Sequence, residues 1–343
     1  RQRKAEHLTL GVVRLLVDAF PDSLRHEDRV GGSMPLHYFC LNQTLHEDEE
    51  VALKILKFLL ERCPESVRHT TTENHVTGRG SLPIHLAAWR QSRKFCRRLI
   101  KAYPGSERVA NSHGTLPFHF ACQYNTVATA KYLYKLYPES IHAAITANGS
   151  YPIHCVVAAL EAEDNGKMVQ FLLDCDPNVA SQKQEGRDGK LPLSLLCNGD
   201  YEGLQAFSHH TAGVAHYVNV WSLALKVLKI LYDAYPEAIK RNEVTSNVGS
   251  FHREIQTFVN SQLIYARQAR DHTLMTTPDE NGQLPLHKVL QSNDITLGSI
   301  KLLVKGNPSA VQSPDNDGAL PLHLASQLSE SAMSISIVKY LAR

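Results

Sequence analysis

Gly80-Ser81-Leu82-Pro83-Ile84-His85-Leu86-Ala87-Ala88 is the stretch on which the reading of this chain turns. Its first six residues recur as Gly32-Ser33-Met34-Pro35-Leu36-His37, Gly114-Thr115-Leu116-Pro117-Phe118-His119 and Gly149-Ser150-Tyr151-Pro152-Ile153-His154. They recur again as Gly189-Lys190-Leu191-Pro192-Leu193-Ser194, Gly282-Gln283-Leu284-Pro285-Leu286-His287 and Gly318-Ala319-Leu320-Pro321-Leu322-His323. The seven prolines stand 48, 34, 35, 40, 93 and 36 residues apart, so a unit near 34 residues repeats, with insertions in some copies. A period in this range is the mark of a solenoid, in which one supersecondary unit buries its apolar face against the next.

The residue types say what each unit contains. Asn148-Gly149, Asp188-Gly189, Asn281-Gly282 and Asp317-Gly318 are tight-turn dipeptides, because Gly accepts a positive φ and Asn or Asp tolerates it. The proline that follows suits the first position of a helix, where its missing N–H would be unpaired anyway. A second phrase precedes the first: Phe20-Pro21, Cys63-Pro64, Tyr103-Pro104, Tyr137-Pro138, Asp176-Pro177, Tyr235-Pro236 and Asn307-Pro308. Each closes an amphipathic segment, such as Val51, Ile55, Leu56, Leu59 and Leu60, or Val127, Ala130, Leu133, Tyr134 and Tyr137. The proline stops the helix and pushes the residue before it toward extended geometry. Each unit therefore reads turn, helix, turn, helix.

Composition bounds the function. The chain has 343 residues, 43% hydrophobic and 20% charged, which is ordinary for a globular protein and excludes a disordered or fibrous one. Lys+Arg 36 against Asp+Glu 34 gives a net charge of +2, so bulk charge does not point to a polyanion. Seven cysteines, an odd number with no Cys-x-x-Cys pair, read as thiols in a reducing compartment. No apolar run reaches the roughly 18 residues of a membrane span, and the nearest, Val220 to Tyr235, is interrupted by Lys226, Lys229 and Asp233. The opening Arg1-Gln2-Arg3-Lys4 lacks a signal-peptide apolar block and reads as a slice of a longer protein. The expected location is inside the cell, in the cytoplasm or the nucleus.

The chain resembles the ankyrin repeats, whose usual unit carries Gly-x-Thr-Pro-Leu-His-x-Ala-Ala; Gly80 to Ala88 and Gly318 to Ala325 match best. The resemblance implies an all-α fold, an ankyrin-type α-solenoid of helix-turn-helix repeats with short β-turn or hairpin connections. It covers nearly all of 1–343 as a single array of about seven units plus partial ends, starting in a second helix near Leu8 to Phe20 and stopping in another near Ser334 to Ala342. Two departures stand out. The Thr before the Pro is Met34, Leu82, Leu116, Tyr151, Leu191, Leu284 or Leu320, so the capping hydroxyl is absent and the His must bond elsewhere, such as to a neighbouring repeat's backbone. Pro104 and Pro308 stand where the family places a left-handed Gly, so the helix exit is expected to differ, without left-handed caps over Tyr103 to Gly105.

Insertions near 198–220 and 243–278 are the most individual segments, and Asn42 to Glu50 forms a smaller one. Phe251, Ile255, Phe258, Val259 and Leu263 fall at helical spacing and predict one additional helix.

Chemistry-bearing residues have plain structural readings. One His per repeat at a fixed position puts His37, His85, His119, His154, His287 and His323 a repeat apart, roughly 10 Å, too far to share an ion. Cys40, Cys122 and Cys197 occupy the small-residue slot filled elsewhere by Ala88 and Ser326. Ser208-His209-His210 with His216 lacks carboxylate or thiolate partners at a metal spacing and reads as a solvated loop. No nucleophile elbow, phosphate loop, dinucleotide fingerprint or His-Glu-x-x-His appears. No catalysis, no metal and no cofactor are expected.

The resemblance implies binding through hairpin tips and the groove face of the first helices. Carried over, this points to Trp89 and Arg90, Gln123 and Tyr124, Gln291 and Ser292, with tip residues Arg79, Ser112, His113, Asn148, Arg187 and Lys190. Trp, Tyr and Arg most often anchor interfaces, and the competing reading of Trp89 is a ring packed against the next repeat. Arg90, Arg93, Lys94, Arg97, Arg98 and Lys101 are six basic residues in twelve with no acid among them. They form either an ordinary solvated face or a surface for an acidic protein segment, an anionic lipid or nucleic acid. The expected function is a monomeric, non-catalytic scaffold or adaptor for a protein partner. The alternatives are a regulatory or targeting region of a larger enzyme, and anionic-lipid or nucleic-acid binding through the Arg90 to Lys101 face.

Overall fold

A computed structural model describes residues 10–42, 48–72, 77–160, 164–185, 189–198, 214–240, 244, 253–329 and 331–342. These residues form 17 α-helices and no strand, an all-α protein. The chain divides into two compact units, Arg1–Ala159 with Lys183–Gly189, and Leu160–Gln182 with Lys190–Arg343.

In the first unit, α1 (Leu10–Ala19) precedes pairs of a short and a longer helix: α2 (Pro35–Leu41) with α3 (Glu49–Arg62), α4 (Pro83–Arg90) with α5 (Arg93–Ala102), and α6 (Pro117–Tyr124) with α7 (Val127–Leu136). The short helix α8 (Pro152–Ala158) ends this unit's series. The short helices α2, α4, α6 and α8 pack side by side in chain order, and so do the longer helices α3, α5 and α7. Between the two rows lie Leu36, Cys40, Ile55, Ile84, Ala88, Phe95, Leu99, Phe118, Cys122 and Leu133, all buried. Phe39 and Phe95 carry the contact from one pair to the next, with ring centroids 5.7 Å apart.

In the second unit α9 (Asp164–Cys175) packs on α11 (Val214–Ala234), while α10 (Pro192–Asn198) packs on α11. Then come α12 (Arg253–Gln268), α13 (His272–Thr276), α14 (Pro285–Leu290), α15 (Leu297–Gly306), α16 (Pro321–Ser326) and α17 (Ala332–Leu341). Leu286, Val289, Ile300, Leu303, Ala325 and Ile337 form the core under α14 to α17. The additional helix expected in the 243–278 insertion is α12, whose Ile255, Phe258 and Val259 are buried; it packs on α11 and α15. Phe258 meets the fully buried Tyr232 edge-to-face at 5.7 Å.

The two helix types start differently, for reasons visible in their residues. Longer helices open on a Ser, Thr or Asp whose side chain accepts a backbone N–H: Asp48 from Val51 at 3.0 Å, Ser92 from Phe95 at 3.3 Å, Thr296 from Ser299 at 3.1 Å. Short helices open on Leu, Met or Tyr, which accept nothing. There the histidine two residues after the proline turns back, and its Nδ1 accepts the N–H of the residue before the proline. Those distances are 3.2 Å at Met34, 3.0 Å at Leu82 and Leu116, 3.2 Å at Tyr151 and Leu284, and 2.9 Å at Leu320. Histidine thus supplies the reciprocal half of a capping box.

Three expectations need correction. Each unit has a further element, a one-turn 3-10 helix opened by the proline after the longer helix: Pro21–Arg25, Pro64–Arg68, Pro138–His142, Pro177–Ser181, Pro236–Lys240 and Pro308–Gln312. The residue before the proline leaves helical geometry, with φ −140° and ψ 74° at Cys63, and the proline's fixed φ then starts a new turn. The second correction is Gly105, which does adopt the left-handed conformation, at φ 88°. Tyr103, which closes α5, has left helical geometry at φ −135° and ψ 85°, and Gly105, free to take the positive φ, precedes the 3-10 turn, which runs over Ser106–Arg108. Third, Arg90 ends α4 and Arg93 begins α5, so the basic run of twelve residues is split between two helices by Gln91 and Ser92.

The insertion placed at 198–220 shrinks at its far end, since α11 already begins at Val214. Its Ser208, His209 and His210 lie outside the described residues, as do Arg187 and the side chain of His216.

Candidate protein-binding surface

Side chains of α4 and α6 meet on the face turned away from α5 and α7. Trp89, half-buried, stacks on Phe120 with centroids 6.2 Å apart and 26° between planes, and lies 5.3 Å from Tyr124. The Arg90 guanidinium sits 4.5 Å over the Trp89 ring, a cation–π contact. His85 meets Phe120 edge-on at 6.2 Å. Tyr124 is 40% exposed, and Gln123 Nε2 donates to its hydroxyl at 2.8 Å. Trp89 Nε1 is buried with no hydrogen-bond partner among the described residues. The sequence-expected residues Trp89, Arg90, Gln123 and Tyr124 therefore come together. Phe120, which joins them, escaped the sequence reading.

The tips form a second feature, linked within each unit. Arg79, Ser112, His113 and Asn148 are all exposed. Successive tips are joined by backbone hydrogen bonds: Thr72 N to Gly31 O at 2.7 Å, Ser112 N to Arg79 O at 2.9 Å, Ala147 N to His113 O at 3.2 Å, and Glu185 N to Gly149 O at 2.9 Å. In the second unit Asn316 N donates to Asn281 O at 3.1 Å. Within a tip an Asx side chain closes the turn. Asn111 Oδ1 accepts from His113 and Thr115, Asp279 Oδ1 from Asn281 and Gln283, and Asp315 Oδ1 from Asp317 and Ala319. The signal that would have found them is an Asn or Asp six residues before the proline in these three copies. Lys190 is half-buried, as is Ser292, while Gln291 is exposed; these belong to the second unit.

The histidines are structural in chemistry as well as position. A backbone N–H donates to Nδ1, so the neutral ring carries its proton on Nε2. Nε2 of His37 then donates to His69 O at 3.2 Å, and Nε2 of His119 to Ala143 O at 2.9 Å, each in the next repeat. Burial pushes both His85 and His119 down to about 4, so they are uncharged at neutral pH. Cys40, Cys122 and Cys197 are buried as the small-residue slot requires, and burial raises the Cys40 and Cys197 thiols, the latter to about 12. Such thiols are poor nucleophiles and poor metal ligands.

On α5, Phe95, Cys96, Leu99 and Ile100 are buried and Arg93, Lys94, Arg97, Arg98 and Lys101 exposed. Lys94 pairs with Glu49 at 2.7 Å. Elsewhere an apolar cleft of about 540 Å³ lies between α1, α2 and α3, lined by residues such as Leu16, Phe20, Phe39 and Leu59. It holds no charged group that would select a ligand.

Among the described residues no helix is long and apolar enough to cross a membrane. No family model matches the chain, and no curated protein matches it.

Proposed function

We propose that the chain is a non-catalytic interaction scaffold, an ankyrin-type α-solenoid that binds a protein partner through the aromatic surface of α4 and α6 and the adjoining tips. The observation that carries this is the cluster of Trp89, Phe120 and Tyr124 across two neighbouring helices, with Arg90 stacked on it and Tyr124 exposed. Aromatic rings and Arg combine large contact area with few degrees of freedom to immobilise, which is why they dominate interface energetics. The surroundings favour a rigid platform. Side-by-side short helices, histidine bonds to the next repeat and linked tips hold these residues on a regular lattice. The proline-led phrase recurring across both units, with 3-10 turns after the longer helices, supports a variant of the repeat.

Affinity capture with the wild-type chain, Tyr124→Ala and Arg90→Ala, each checked by thermal melting, tests the reading. A partner held by the wild type and lost by both variants at unchanged melting temperature is the expected result. A partner retained by both overturns the assignment of this surface.

A further inference from the structure

The second face of the first unit has an unbalanced charge distribution. On α3 the exposed cations are matched: Lys54 pairs with Glu50 at 2.8 Å, Lys57 with Glu61 at 3.6 Å, and Arg62 with Asp18 at 2.9 Å. On α5 only Lys94 is matched, and Arg93, Arg97, Arg98 and Lys101 have no carboxylate partner among the described residues. The neighbouring α7 adds the exposed Lys135, and neither helix contains an acidic residue. Glu107 is buried beside Arg108 at 3.6 Å, and Glu139 lies on the turn after α7. Folding thus gathers like charges from two repeats onto one exposed surface, at a repulsive cost that an oppositely charged partner would relieve.

The geometry narrows the partner. Arg93, Arg97 and Lys101 are spaced by four residues, about 6 Å along the helix. Alternate side chains of an extended polypeptide recur at nearly the same interval, about 6.6 Å. Guanidinium forks pair bidentately with carboxylates. Single-stranded nucleic acid wants several free aromatic faces for its bases, but Arg68 covers the Tyr103 ring at 4.3 Å, Arg108 the Tyr137 ring at 5.0 Å, and Tyr134 packs on Phe118 at 6.2 Å, which leaves the half-buried Tyr132. A lipid surface wants apolar residues to insert, and those of α5 point into the core.

We propose that the outward faces of α5 and α7 dock an acidic polypeptide segment in extended conformation, with carboxylates at alternate positions along Arg93, Arg97 and Lys101. This surface is separate from the Trp89 cluster, and either assignment can fail without the other. The test is fluorescence anisotropy of a labelled peptide of alternating Glu and Ser, with its Gln-for-Glu counterpart, an oligothymidylate and phosphatidylserine vesicles as competing probes. The expected result is binding of the Glu peptide only, weakened roughly tenfold or more by Arg93→Glu with Arg97→Glu and likewise by raising salt from low to physiological. If the reversal variant melts early, Arg97→Gln with Lys101→Gln provides the same comparison at smaller charge change. Equal binding by wild type and a folded variant, equal binding of the Gln peptide, or binding of the oligonucleotide or vesicles without the Glu peptide overturns the proposal.

Discussion

The side-chain amide of Asn125 donates at 2.9 Å to the carbonyl oxygen of Gln91, one repeat earlier, and also to Ala88 O at 2.9 Å. Gln91 repeats the arrangement one unit back, donating from Nε2 to Cys40 O at 3.0 Å and Asn42 O at 2.8 Å. The last carbonyls of a short helix have no intrahelical partner, and here the following repeat supplies it.

Asn125→Ala should therefore lower stability by about 1–3 kcal/mol, because two carbonyls lose their donor in a partly buried site. Urea unfolding measures this, and a change within error would show that water replaces the amide freely.

Acid should destabilise the protein through the buried histidines. His85 and His119 titrate near 4 when folded and near 6.5 when unfolded, so their contribution is complete above 6.5 and is lost as pH falls toward 4. The loss is on the order of 3 kcal/mol for each. Asp233, raised by burial to about 6, acts in the opposite direction over part of this range, since the folded state then holds its proton more tightly. His119→Asn should be less stable than wild type at neutral pH and close the gap on acidification. A gap independent of pH would refute the neutral buried state.

Gly105 and Gly149 separate backbone strain from crowding. A Cβ on Gly105, at φ 88°, meets nothing within 4 Å, so Gly105→Ala should cost about 1–2 kcal/mol from the left-handed conformation alone. On Gly149, at φ 69°, a Cβ would run into the backbone of Glu185. Gly149→Ala should therefore cost about 1–3 kcal/mol more and loosen that tip, as thermal melting and amide exchange at Glu185 would register.

Thiol labelling should be selective. All seven cysteines are free, and Cys175 is the one that is not fully buried. A maleimide should modify Cys175 first in the native protein, with Cys40, Cys96, Cys122 and Cys197 reacting only on unfolding; mass spectrometry after a short exposure decides it.

Helix positions were legible where local rules govern them. Prolines at the start of short helices, Ser and Thr caps on longer ones, and the four-residue spacing of Val51, Ile55 and Leu59 act within a turn or two. The 3-10 exits are equally local, since the proline that ends one helix has the φ that begins the next turn. Of the candidate surface, Trp89, Arg90, Gln123 and Tyr124 could be named from the phrase. Phe120 could not, since it matters through the Trp89 ring it stacks on one repeat away, whereas the Asx residues of the tips bond within four residues and carry a local signal.

By itself the sequence determined the repeat, the helices and the side of each helix that turns inward, because steric limits on φ and apolar periodicity operate over a few residues. Tertiary structure alone decided what lies a repeat away: that Asn125 reaches Gln91, that His119 reaches Ala143, that Trp89 stacks on Phe120, and that the cations of α5 lie beside those of α7. Those contacts span some 30 residues, and their geometry is set by how side-chain volumes fit between packed helices, which no local rule specifies.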